Sequence, residues 1–199
     1  MKYYILRSKW NPFRKRGITL NITPSFKCNY HCEYCFVDID HKKPSDGKNL
    51  TADGWLEYID TFPVKIAEIT INGGEPTLWG EFVYLTTEIL KRGYFVMIHT
   101  NLSKPEILIQ LPKTNHLVLN PTFHHGQTSP NVFIDAYNML KDKQKMYVDE
   151  IDNKILSISR KKPFGTTKYA KERKCLRARP DGTLYTDCYS LLKALGKQW

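Results

Sequence analysis

The sequence predicts an α/β fold, a parallel sheet with its helices outside, and three observations predict it. Short apolar runs alternate with amphipathic segments four times between residues 17 and 140, the rhythm of β-loop-α units. The stretches rich in Cys, Gly, Asn and His fall just after the apolar runs, at the carboxyl ends of strands, where active groups of parallel sheets collect. A chain of 199 residues with 41% hydrophobic content also suits one globular domain with a real core.

The elements follow in order. Residues 1–16 mix Tyr3, Tyr4, Trp10 and Phe13 with six basic side chains and a turn signal at Asn11-Pro12. Ile18, Leu20 and Ile22 then alternate with Thr19, Asn21 and Thr23, the period of a strand with one buried face. Pro44, Asp46 and Gly47 mark an exposed loop, after which Thr51 caps a helix with Trp55, Leu56, Ile59 and Phe62 near one face and Pro63 at its end. Residues 68–71 form a short strand that runs into Gly73-Gly74, and Phe82, Leu85, Ile89 and Leu90 recur at helical spacing up to a stop at Gly93.

Residues 95–98 predict a third strand, ending in His99-Thr100-Asn101. Ser103 and Glu106 have the spacing of a capping box for a third helix, which Pro112 stops. A fourth strand at 117–119 leads to Asn120 and onward to His124-His125. Ser129 and Pro130 open a fourth helix with Val132, Phe133, Ala136, Met139 and Leu140 facing inward. Beyond Leu140 the pattern weakens. The runs 146–148 and 155–158 are too close for a crossover helix between them and predict a hairpin. Pro180-Asp181-Gly182 predicts a second hairpin, with Cys175 and Cys188 at its two ends.

The chemistry-bearing residues centre on Cys28, Cys32 and Cys35. Thiolates at this spacing on a loop leaving a strand can converge on one metal centre. A four-iron cluster held by three cysteines keeps one iron open, whereas a structural zinc site would close all four positions, with His31 or a distant cysteine as the fourth ligand. Gly73 and Gly74 permit close backbone approach to a bound group, and Glu75 supplies an acceptor for an ammonium. Asn101, Asn120 and Thr122 stand at strand ends. His124 and His125 are adjacent on extended chain and point opposite ways, so one of them, His124, is assigned to the cavity.

Cys28-x3-Cys32-x2-Cys35, with Tyr34 just before the last cysteine and Asn72-Gly73-Gly74-Glu75-Pro76 downstream, resembles the radical S-adenosylmethionine (SAM) superfamily over residues 17–125. The resemblance implies a partial (β/α) barrel, truncated here after the fourth unit, with a C-terminal β-hairpin extension. It implies a [4Fe-4S] cluster on Cys28, Cys32 and Cys35 as the catalytic centre, its free iron holding the amino and carboxylate groups of SAM. Tyr34 would lie beside the adenine; Gly73, Gly74 and Glu75 would receive the amino group; Asn101 and Asn120 match ribose or carboxylate contacts. Reductive cleavage of SAM would give a 5′-deoxyadenosyl radical that abstracts hydrogen from a substrate, either a peptide or an anionic nucleotide-like molecule. An electron donor such as flavodoxin or ferredoxin is implied as partner. The hairpin bearing Cys175 and Cys188 resembles the start of a twitch or SPASM extension, although two thiols cannot by themselves complete an auxiliary cluster.

Charge divides the chain into three: a basic segment at 1–16, a mildly acidic core at 17–159, and a basic extension at 160–199 whose first twenty residues hold nine basic and one acidic side chain. The net charge of +10 is compatible with an anionic substrate or a nucleic acid, and equally with a solvated basic surface. Without an apolar run of about 18 residues or a signal-peptide pattern, a cytoplasmic protein is expected. Five cysteines with three in one cluster do not make a disulfide framework. The competing reading is a zinc-containing nucleic-acid-binding module without catalysis, against which the glycine motif counts.

Overall fold

The computed structural model describes residues 17–33, 35, 49–63, 65–150 and 175–184. The expectations for the basic N-terminal segment, the loop at 41–48, the 155–158 run, most of the basic C-terminal stretch and Cys188 lie outside these residues.

The strands are β1 (Ile18–Ile22), β2 (Ile66–Ile71), β3 (Phe95–Thr100), β4 (Leu117–Phe123), β5 (Asp149–Glu150) and β6 (Cys175–Ala178). They form one sheet in the order β5-β4-β3-β2-β1-β6, and every neighbouring pair is parallel. The helices between them are α1 (Ala52–Asp60), α2 (Phe82–Lys91), α3 (Pro105–Leu108) and α4 (Pro130–Leu140).

Strand periodicity sorts the side chains onto two faces with different chemistry. Leu20, Ile69, Val96 and Leu117 share one register row, and Ile22, Ile71, Ile98 and Leu119 share another. Both rows join the core cluster with Trp55, Leu56, Phe82, Leu85, Ile89, Phe133 and Leu140 from the helices. The opposite face begins with the row Asn21, Thr70, Met97, Val118 and continues upward to the His99–Asn120 pair. Thr19, Asn21, Glu68, Thr70 and Asn120 on this face are all buried. A buried face this polar is suited to a solute rather than to a helix.

Local signals set most boundaries as expected. Thr51 caps α1 by accepting from the Gly54 N–H at 3.2 Å, and Glu81 at the start of α2 accepts from the Ala52 N–H at 2.6 Å. Gly93 ends α2 with φ +80, a value that side chains disfavour. Ser129 caps α4 by accepting from the Val132 N–H at 3.3 Å, with Pro130 in the first turn.

Two expectations are corrected. The capping box at Ser103 does not form: α3 has four residues, and the Ser103 hydroxyl donates instead to the Asn29 side-chain carbonyl at 3.2 Å. On α4, Val132 and Met139 point outward with 60% and 48% exposure, because Phe133, Ala136 and Leu140 define the buried stripe and the other two sit about 100° away from it. The 146–148 run meets β4 in parallel, and the 155–158 run expected to complete its hairpin lies outside the described residues. Met146 bridges Leu119 in parallel and Asp149 pairs with Thr122, since α4 carries the chain back as a crossover helix.

The turn at Pro180-Asp181-Gly182 does form, with Gly182 at φ +82 and the Arg179 N–H donating to the Thr183 carbonyl at 2.8 Å. Its first arm has a second role that the hairpin reading did not contain. As β6, it pairs with β1 and supplies the sheet's other edge.

The stripe on α4 can be checked by substitution. Phe133→Ala, which empties a site 2% exposed, should lower the unfolding free energy by about 3–5 kcal/mol, whereas Met139→Ala should change it by less than about 0.5 kcal/mol in denaturant titrations.

Candidate active site

The cysteine loop leaves the top of β1 and is tied down by the ends of the next three strands. From the β2 end, the Gly74 N–H donates to the Ser25 carbonyl at 3.2 Å and the Glu75 N–H to the Lys27 carbonyl at 2.8 Å. At the β3 end, the Asn101 amide donates to the Asn29 side-chain oxygen at 3.0 Å. Beyond β4, the Gln127 side chain accepts from the His31 N–H at 2.8 Å and donates to the His31 carbonyl at 3.4 Å. His124 Nδ1 lies 3.5 Å from Cys32 Sγ, and its ring meets Tyr30 edge-on.

These ties explain the glycines. At Gly73, with φ +142, a Cβ would run into the Ser25 carbonyl; at Gly74 it would run into the Phe26 and Lys27 carbonyls. The closest approach they permit is therefore between two segments of the chain itself, although both also line the cavity.

Glu75 stands behind that wall, fully buried. Its Oε1 accepts from the Thr77 N–H at 3.1 Å, the Thr77 hydroxyl at 2.6 Å and the Thr100 hydroxyl at 2.9 Å; its Oε2 accepts from the Asn101 N–H at 2.6 Å. Burial pushes its carboxyl above the ordinary value, and the donors from Thr77, Asn101 and Thr100 oppose that shift. The carboxylate expected to meet an ammonium is engaged in joining β2 to β3.

The cavity, about 400 Å³, is lined by all three cysteines together with Gly73, Gly74, Asn101, Thr122 and His124. Asn120 is not on its wall: its amide donates to the Tyr147 carbonyl at 2.6 Å and to Asp149 at 3.0 Å, stapling β5 to β4. His125 turns away and packs against the Phe123 ring. His31 is exposed, held through its backbone. Tyr34 falls outside the described residues. The sequence reading did not select Asn21, His99 or Arg177, which also line the cavity together with Asn72 of the glycine motif. Strand parity was the available signal for Asn21 and His99, which occupy positions of their strands that face away from the apolar core. Arg177 had none, because nothing local says that β6 pairs with β1.

The thiol set fits an iron–sulfur cluster. Cys28, Cys32 and Cys35 are in no disulfide among the described residues, half-buried and open to one cavity. Burial pushes the Cys28 thiol up against the hydrogen bond from the Tyr30 N–H, and negative charge on Glu75, Cys32 and Cys35 adds to the rise. Such a site gains from a cationic occupant that takes up thiolates. Among the described residues no three His, Cys, Asp or Glu side chains converge as a single ion requires. Separate irons of one cluster do not need that convergence.

Comparison with known proteins adds the following. The radical SAM superfamily model matches residues 22–153. An S-adenosylmethionine-dependent nucleotide dehydratase of Selenomonas ruminantium is 34% identical over 86 residues, 42% of this chain and 29% of that protein. A GTP 3′,8-cyclase of Actinobacillus succinogenes is 32% identical over 78 residues, 39% of this chain and 23% of that one. Among solved structures, Streptococcus suis SuiB bound to precursor peptide SuiA aligns with a TM-score of 0.54 and 17% identity, covering 90% of this chain and 45% of that one, a likeness of fold. The matched stretches span less than a third of these two curated relatives and under half of the solved structure.

Two substitutions test the construction. Gly74→Val should reduce iron uptake on reconstitution as well as SAM binding, because the Lys27 carbonyl it displaces leads directly into Cys28; normal iron with weakened SAM binding would show that the loop tolerates the bulk. Glu75→Gln places an NH2 group against the Asn101 or Thr77 N–H and should cost about 1–3 kcal/mol in unfolding free energy.

Proposed function

The chain belongs to the radical SAM superfamily, and on that footing we propose that Cys28, Cys32 and Cys35 hold a [4Fe-4S] cluster beside a SAM site walled by Gly73, Gly74 and Asn101. The observation that carries this is the shared cavity: three cysteine thiols and both motif glycines open onto the same space at the carboxyl ends of β1, β2 and β3. When bound, the cluster supplies the electron that cleaves SAM to a 5′-deoxyadenosyl radical, the species that takes hydrogen from a substrate.

The chain's own contribution is placement and enclosure. The hydrogen bonds from Gly74, Glu75, Asn101 and Gln127 fix the cysteine loop, so the thiols are presented without a large ordering cost. The Asn101 amide, 4.0 Å from Cys28 Sγ, supplies a dipole beside the thiolate. The apolar core on the outer face keeps solvent from the back of the sheet. Tyr34 belongs beside the adenine in this reading, while Glu75 and Asn120 act behind the wall, holding the strand ends that shape the SAM site.

Among the described residues no helix is long and apolar enough to cross a membrane. The reading places the protein in the cytoplasm with a flavodoxin or ferredoxin as reductant. The substrate is a nucleotide-like anion in preference to a peptide. The names of the nucleotide dehydratase and the GTP cyclase support that choice, whereas the SuiB likeness concerns fold alone.

Anaerobic reconstitution with iron, sulfide, SAM and a strong reductant should give a brown protein that releases 5′-deoxyadenosine. Cys32→Ala should lose both the iron absorption and the release. A colourless zinc protein, or full iron content in Cys32→Ala, would overturn the assignment and favour a zinc module.

A further inference from the structure

The turn after β4 grips the cysteine loop at three consecutive residues. The Gln127 N–H donates to the His124 carbonyl at 3.2 Å and closes this turn, in which Gly126 has φ +76. From the turn, the Gln127 side chain accepts from the His31 N–H at 2.8 Å and donates to the His31 carbonyl at 3.4 Å. The Tyr30 side chain pairs with Thr128. The third residue is Cys32, and here the contact is to the thiol itself, with His124 Nδ1 3.5 Å from Sγ.

The imidazole is held for that contact. Its ring stands edge-on to the Tyr30 ring, with centroids 5.9 Å apart and planes at 74°, so the same loop that presents the sulfur also sets the plane of the ring. Burial lowers the His124 pKa, which leaves a neutral ring with a proton on one nitrogen. A cysteine that ligates a metal is a thiolate and has no proton to give. With Cys32 in that state the contact is a hydrogen bond only if the proton sits on Nδ1 and is donated to the sulfur. Cys28 is supplied in a different way, by the Tyr30 N–H at 3.4 Å and the Asn101 amide at 4.0 Å.

We propose that His124 is a positioning residue for electron entry: it donates its Nδ1–H to the Cys32 sulfur of the loaded protein and thereby raises the reduction potential of the cluster. The inference rests on the function proposed above and deepens it by naming a residue that tunes the same centre. An added electron places more negative charge on the ligating sulfurs, so a donor aimed at one of them stabilises the reduced form more than the oxidised one. Reduction by a carrier such as flavodoxin or ferredoxin becomes easier in consequence.

The test is a redox titration of the full chain, reconstituted anaerobically with iron and sulfide and followed by electron paramagnetic resonance. His124→Leu keeps the bulk and removes the donor. Its one-electron reduction constant should fall about tenfold, a downward shift of about 59 mV. His124→Asn, whose amide nitrogen can take the place of Nδ1, should stay within about threefold of the parent, and iron content reports whether each variant loads the cluster. The proposal fails if His124→Leu has the potential of the parent. It also fails if His124→Asn falls as far as His124→Leu, since the ring would then act through packing alone. A second measurement needs no variant: the parent protein with nitrogen-15 in its histidines should show a histidine nitrogen coupled to the reduced cluster in pulsed paramagnetic resonance. A spectrum without that coupling overturns the proposal even where His124→Leu takes up no iron. A parent protein that takes up no cluster would refute the proposed function, and this inference with it, whereas a loaded parent with an unmoved potential refutes the inference alone.

Discussion

A carboxylate removed from water is tolerated only where donors replace the water, and Glu75 is surrounded by them. Two come from Thr77, one from the Thr100 hydroxyl at the end of β3 and one from the Asn101 N–H just past it. This one side chain therefore sets the spacing of two strand ends. It also orients Asn101, whose amide reaches Asn29 in the cysteine loop, and its own N–H holds the Lys27 carbonyl. Removing the carboxylate would leave four donors to find new partners at the place where the loop is anchored.

Anchoring of this kind answers a problem that a metal-binding loop poses. Three thiolates facing a common space repel one another, and at Cys28 burial makes ionisation harder still. A loop free to relax would turn them outward. Here the backbone is held from β2, β3 and the turn after β4, so the thiols stay directed into the cavity while the repulsion is left for a cationic occupant to relieve.

The sheet divides its labour by parity. One face gives rows of Ile, Leu and Val to the helices, and that burial supplies the driving force for folding. The other face is buried yet polar, with Thr, Asn and Glu where an ordinary doubly covered parallel sheet would be apolar. The cost of keeping those groups from bulk water is accepted because they wall a binding space. Asn120 and Asp149 show how part of it is recovered, by a mutual hydrogen bond that also fastens the short edge strand.

The sequence by itself determined the alternation of strands and helices, the caps at Thr51 and Ser129, the stop at Gly93, and the kinship of the cysteine and glycine motifs. Each of these is a local matter, decided by side-chain periodicity, backbone freedom or residue spacing within a few turns. It also placed His124 toward the cavity and His125 away from it, because alternation along an extended chain is local too. Tertiary structure decided what those signals leave open. Ser103 satisfies Asn29 rather than a helix end, α4 brings the chain back in parallel, and the Glu75 carboxylate joins two strands instead of facing the cavity. The pairing of β6 with β1 carries Arg177 to the cavity from more than 150 residues away in the chain. A hydrogen bond or a strand pair between distant residues depends on which segments the packed core brings together, and no short window of sequence contains that information.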